Sequence, residues 1–188
     1  SRFGVAFGIP TPDAQDKADG AVLLGSWADE VTQWCDWAMA SGAPAEVVAW
    51  HRATGGRTLY AWKPTADPGI RMPDFRSWAT LVRLWNANLR SLAALGAAVG
   101  KPTAAEFLAF ASLASGLPTP DQVWMDPLGA PVPTDPQSLY FVATSLAANV
   151  RAGFTGAFVK YIDRMPRVFT ALAAKDAQKR IAQILSGT

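Results

Sequence analysis

Asp74-Phe75-Arg76-Ser77-Trp78-Ala79-Thr80-Leu81-Val82-Arg83-Leu84-Trp85-Asn86 is the stretch that decides the fold. Phe75, Trp78, Leu81, Val82 and Trp85 recur every three or four residues, the spacing that collects side chains on one face of an α-helix. Asp74 stands just ahead of them, where a short acceptor side chain satisfies the free N–H groups of a first turn. The same logic extends outward. Toward the N-terminus, Ser26 is placed to cap a helix from Trp27 whose apolar positions include Val31, Trp34 and Ala38, and Gly42 stops it. Pro44 suits the first turn of a second helix to Ala53. Residues 54–73, with glycines and prolines, read as a long connection.

Toward the C-terminus, Leu89 to Val99 reads as a helix of small residues ending near Gly100. Three capping boxes follow, beginning at Thr103, Thr119 and Thr134, each with a Glu or Gln three residues on. They predict helices to about Ser115, Met125 and Asn149. Asp126 to Pro133 is too proline-rich for a helix interior. Phe154 to Asp163 predicts another helix, and a last one runs from Pro166 to about Leu185 with a bend near Ala174. Val5 to Ile9 could form one edge strand, closed by Pro10 and Pro12, and residues 13–25 read as loop. The expected fold is therefore mainly α: one compact multi-helix domain over 1–188, with a strand-and-loop segment at 1–25, at most one short strand, and a helical body at 26–188.

Composition fits that outline. Of 188 residues, 50% are hydrophobic, enough for a sizeable core and against a disordered chain. Charged residues make up 17%, below the usual quarter or so. A surface so poor in charge points to burial against partner subunits. The net charge of +2 is too small to argue for nucleic acid. No apolar run is long enough for a membrane-spanning helix, and no signal-peptide pattern is present. Ser1 stands first, and a removed methionine, a tag or a longer parent chain would each account for it.

Chemistry-bearing motifs are few. Gly96 to Lys101 imitates a phosphate loop but has three residues between its glycines instead of four, and Pro102 where a Ser or Thr should meet magnesium. It reads as the end of one helix and the start of the next. Cys35 and His51 are the only cysteine and histidine. Cys35 reads as an inert core residue, and His51 as a helix-end residue near free carbonyls. One Cys and one His cannot furnish a structural zinc site, so no metal is expected. Arg164, Arg167, Lys175, Lys179 and Arg180 cluster late, with Asp163 and Asp176 diluting them into a solvated face. Trp34, Trp37, Trp78 and Trp85, four of eight tryptophans, sit at helical spacing that suits a core or a subunit interface. Arg2, before the strand-like run, and Arg76, in the first turn of its helix, could each offer a planar fork to a phosphate.

Several of these stretches, in order, resemble the C-terminal part of MoxR-like AAA+ ATPases. They are Ser1-Arg2-Phe3, Trp34 to Ala38, Pro44 to Trp50 and Phe75-Arg76-Ser77-Trp78, then Ala104 to Phe110 and Leu117 to Pro120. The strongest is Asp126-Pro127-Leu128-Gly129-Ala130-Pro131-Val132-Pro133-Thr134-Asp135-Pro136, followed by Leu139-Tyr140, Tyr161 to Pro166, and Phe169. The resemblance covers most of the chain and weakens at residues 10–25. It implies that Arg2 is an arginine finger reaching the γ-phosphate of a neighbouring subunit, and that Arg76 senses nucleotide from the lid. It implies ATP and magnesium only as part of a complete ATPase, because the phosphate loop and acidic magnesium-binding segment are absent here. Asp74-Phe75 departs from the Thr-Pro expected before Arg76. Two functions stay open. One is the helical C-terminal region of such a motor, making contacts with protein subunits and no catalysis alone. The other is a stand-alone structural or assembly protein, cytoplasmic or virion-associated, that packs through its helical body.

Overall fold

The cap at Asp74 is built as the sequence predicts. In the computed structural model, which describes residues 20–61 and 72–186, Asp74 accepts from the Ser77 N–H at 2.6 Å. The Ser77 hydroxyl in turn accepts from the Asp74 N–H at 2.8 Å. Nine α-helices follow one another among the described residues, with no strand. They are α1 (Gly20–Ala40), α2 (Ala45–Ala53), α3 (Phe75–Asn86), α4 (Leu92–Val99), α5 (Lys101–Ser112), α6 (Pro120–Met125), α7 (Pro136–Ala148), α8 (Thr155–Ile162) and α9 (Arg167–Ser186). The chain is thus an all-α fold over these residues. The strand expected at Val5 to Ile9 lies outside them.

Two buried clusters organise the helices. The first is aromatic and draws on α1 to α5: Trp34, Trp50, Trp78, Trp85, Phe107 and Phe110 lie at its heart. The Phe107 ring meets Trp85 at 5.0 Å and Trp78 at 5.7 Å, both edge-on, the arrangement that ring quadrupoles favour. The second draws on α6 to α9 around Leu139, Val142, Leu146, Phe158, Tyr161 and Ile162. Full burial of each such side chain contributes roughly 1.5–3 kcal/mol. Helix α7 packs on both α2 and α9 and so joins the clusters. Trp78 places its indole N–H on the Thr58 carbonyl, Trp50 on the Thr58 hydroxyl and Trp27 on the Gly55 carbonyl. Three indoles therefore stake down the turn after α2. Gly55 and Gly56 take positive φ there, 58° and 70°. A Cβ on Gly56 would fall 2.3 Å from Val31 Cγ2, so this turn closes only with glycine.

The structure corrects four boundaries. Helix α1 begins at Gly20, not after Ser26, because Ala21 to Leu24 continue the helix-forming run, and the loop expected over 20–25 is helical. Thr103 caps nothing: Gly100, at φ 85°, ends α4 and opens α5 at once, with Pro102 in its first turn. Asp135, not Thr134, caps α7 by accepting from the Ser138 N–H, which holds its carboxyl below the usual carboxylate range. Helix α5 stops at Ser112 and passes into a 3-10 turn, Leu113–Gly116. The box at Thr119 forms as expected, with both reciprocal bonds to Gln122. Helix α9 runs as one element from Arg167 to Ser186.

Candidate functional site

The charged residues that sequence spacing scatters converge where α1, α2, α7 and α9 meet. Arg52, near the C-terminal end of α2, turns inward to Asp176 on α9. Its Nη1 donates to Asp176 Oδ2 at 2.6 Å and to Thr144 Oγ1 at 2.9 Å, and its Nη2 donates to Asp176 Oδ1 at 3.1 Å. The side chains are 10% and 2% exposed, so this is a buried two-pronged ion pair. Burial pushes the Asp176 carboxyl up from its ordinary value, and the Arg52 charge draws it back only in part. Asp176 was expected on a solvated face; it is instead the inward anchor of α9. One turn further along α9, Lys179 Nζ donates to Asp36 Oδ2 on α1 at 2.5 Å, half-exposed.

These two pairs divide an open trough between α1 and α9 into two clefts. One, of about 520 Å³, is lined by Met39, Pro44, Ala45, Asn149 and Arg180 with the shared residues Asp36, Asp176 and Lys179. The other, of about 390 Å³, adds Trp27, Val31, Cys35, Arg52, Tyr140 and Lys175 to that shared set. Each acidic group in the trough already has a cationic partner. Lys175 and Arg180 remain as charges on its α9 wall. The trough offers shape and positive charge, but no nucleophile paired with a base.

Neither Cys35, at the edge of the second cleft, nor His51, outside both, supplies one. The Cys35 thiol is buried, and burial pushes it up to about 12, far from a reactive thiolate. His51 is fully buried, not at a helix end open to solvent. Its ring lies edge-on to Trp34 at 4.7 Å and to Trp78 at 4.2 Å, and neither nitrogen has a hydrogen-bond partner. Burial alone drives its pKa well below the ordinary histidine value. His51 does lie in the last turn of α2, as expected, but its ring is buried against Trp34 of α1 and Trp78 of α3 instead of meeting free carbonyls. No group of three or more His, Cys, Asp or Glu side chains able to hold a metal occurs among the described residues. No described helix is long and apolar enough to cross a membrane.

Arg2 lies outside the described residues. Arg76 is exposed in the first turn of α3. The amide end of that helix already receives the Asp74 carboxylate, so Arg76 can offer a phosphate its guanidinium but not the helix terminus. Trp34, Trp78 and Trp85 are buried in the chain's own aromatic cluster, and Trp37 is half-buried against it, 5.9 Å from Trp34. Within the late basic cluster, Arg164 Nη1 donates to the carbonyls of Pro127 and Ala130 at 2.8 and 2.9 Å. Tyr161 OH donates to the Pro131 carbonyl at 2.7 Å. Gly96 to Lys101 is the α4–α5 junction, as its failed phosphate-loop spacing implies.

Sequence reasoning missed Arg52, Asp36 and Asp176 as a set. The pairing partners lie 124 and 143 residues apart, and no local pattern links them. Compared with protein-family models, with curated proteins and with solved structures, the chain gives no match.

Proposed function

We propose that the chain serves as the helical C-terminal region of a MoxR-like AAA+ ATPase, making subunit and partner contacts while nucleotide chemistry is supplied elsewhere in the assembly. One observation carries this reading. The strongest stretch of the resemblance, Asp126 to Pro136, and a later one, Tyr161 to Pro166, are each other's partners in the fold. Tyr161 and Arg164 together hold the carbonyls of Pro127, Ala130 and Pro131. Residues that share a structural task explain why the two stretches occur together. Within this proposal Arg2 is the arginine finger, and Arg76, whose guanidinium has no partner among the described residues, is the lid sensor.

The genomic reading frame upstream of Ser1 is the first test. A phosphate loop followed by an acidic magnesium-binding segment supports the proposal, and a start codon adjoining Ser1 defeats it. If the ATPase segment is there, the complete polypeptide should turn over ATP, and Arg2→Ala should reduce turnover by about 10³-fold or more. Retention of full turnover in Arg2→Ala removes the finger assignment.

The alternative, a self-assembling structural protein, draws on exposed apolar side chains: Met125, Leu128 and Val168 are 87%, 66% and 70% exposed. Light scattering on the chain separates the two. A closed oligomer formed by the chain alone favours the structural protein, and a monomer favours the ATPase region.

A further inference from the structure

His51 is the chain's one histidine, and it sits where a charge has no outlet. A neutral imidazole carries one N–H and one lone pair. The N–H can rest against an indole face at little cost. Protonation turns the remaining lone pair into a second N–H and puts a full positive charge between Trp34 and Trp78, with neither nitrogen having an acceptor.

The charged groups on the surrounding elements do not relieve this. On α1, Cys35 is a neutral thiol and Asp36 is engaged by Lys179. Glu30, also on α1, has a buried Oε2 that bonds to nothing, His51 included. On α2, Arg52 is locked onto Asp176, and Glu46 lies at the opposite end of the helix. In the turn after α2, Arg57 pairs with Glu106 of α5. On α3, Asp74 is spent on the helix cap, and Arg76 and Arg83 are exposed cations. Burial is the sole cause of the shift at His51, with no charge partner contributing.

We infer that His51 is an acid-sensitive latch: taking up a proton forces open the aromatic cluster that joins α1, α2 and α3. The sign follows from linkage. The folded imidazole has a depressed pKa, whereas the unfolded chain binds the proton at about 6.5. The latch therefore contributes fully above about pH 6.5 and is lost as the pH falls below it. Between pH 7.5 and 5.0 the unfolding constant should rise about 30-fold through this group alone.

The test is urea unfolding followed by tryptophan emission, which suits this cluster because Trp34, Trp50, Trp78 and Trp85 all lie in it. The wild type and His51→Phe are compared at pH 7.5 and 5.0. Other titrations, such as that of the raised Asp176, are common to both proteins and cancel. The wild type should lose about 30-fold more than the variant. Equal losses overturn the latch. If His51→Phe does not fold, the wild-type imidazole is followed by proton NMR. No titration of the folded protein down to pH 5 supports the latch, and a midpoint near 6.5 overturns it.

Discussion

Replacing Asp176 by alanine should cost more stability than its place on the last long helix suggests. The carboxylate is 2% exposed and takes two bonds from Arg52, whose side chain is 10% exposed. After Asp176→Ala the guanidinium keeps the Thr144 hydroxyl and the Met39 and Cys35 sulfurs as partners, none of them charged, and its charge stays buried. Removing one member of a buried pair costs about 3–5 kcal/mol, mostly from the charge left behind. Unfolding entropy of about 2.1 cal/mol/K per residue gives roughly 0.4 kcal/mol/K for 188 residues, so the melting midpoint should fall by about 8–13 °C. Circular dichroism melts and urea titrations at pH 7 measure this. Lys179→Ala is the control, since that pair is 40% and 33% exposed and should contribute under about 1 kcal/mol. The double variant R52M/D176L should recover much of the loss, because apolar groups of similar volume do not need the missing partner. An Asp176→Ala effect no larger than that of Lys179→Ala would refute the assignment of this pair as a buried junction.

Four further variants have defined outcomes. Gly56→Ala should cost about 2–5 kcal/mol, combining about 1–2 for the left-handed backbone with about 1–3 for collision with Val31. Gly55→Ala, which points into open space, should show only the backbone part in the same urea assay. Tyr161→Phe should cost about 1 kcal/mol by orphaning its bond to Pro131, and Arg164→Ala should speed proteolysis within 126–135, read by mass spectrometry of the fragments.

How much of this was legible in the sequence depends on the range of the interaction. Asp74 and Thr119 announced their helices because a cap is settled within four residues. Thr103 and Thr134 carried the same local pattern and failed, for local competitors won: the backbone of Gly100 in one case and the adjacent Asp135 in the other. His51 sits in the last turn of α2 as its position suggests, but its burial depends on Trp34 and Trp78, which come from two other helices. Val47 lies four residues before His51 and is also buried, so a shared helix face was the signal available. The Arg52–Asp176 junction had no such signal. Arg52 looks like an ordinary basic residue in a last turn, and Asp176 like one acid among lysines, until α7 brings α2 and α9 together. Of the two arginines singled out for phosphate, Arg76 is exposed as its helix position suggests, beside a helix end that Asp74 already fills.

The proposed function requires that this helical body hold no nucleotide by itself. Calorimetric titration of MgATP into the 188-residue chain addresses it directly. No saturable heat is expected, and one-to-one saturable binding would overturn the proposal.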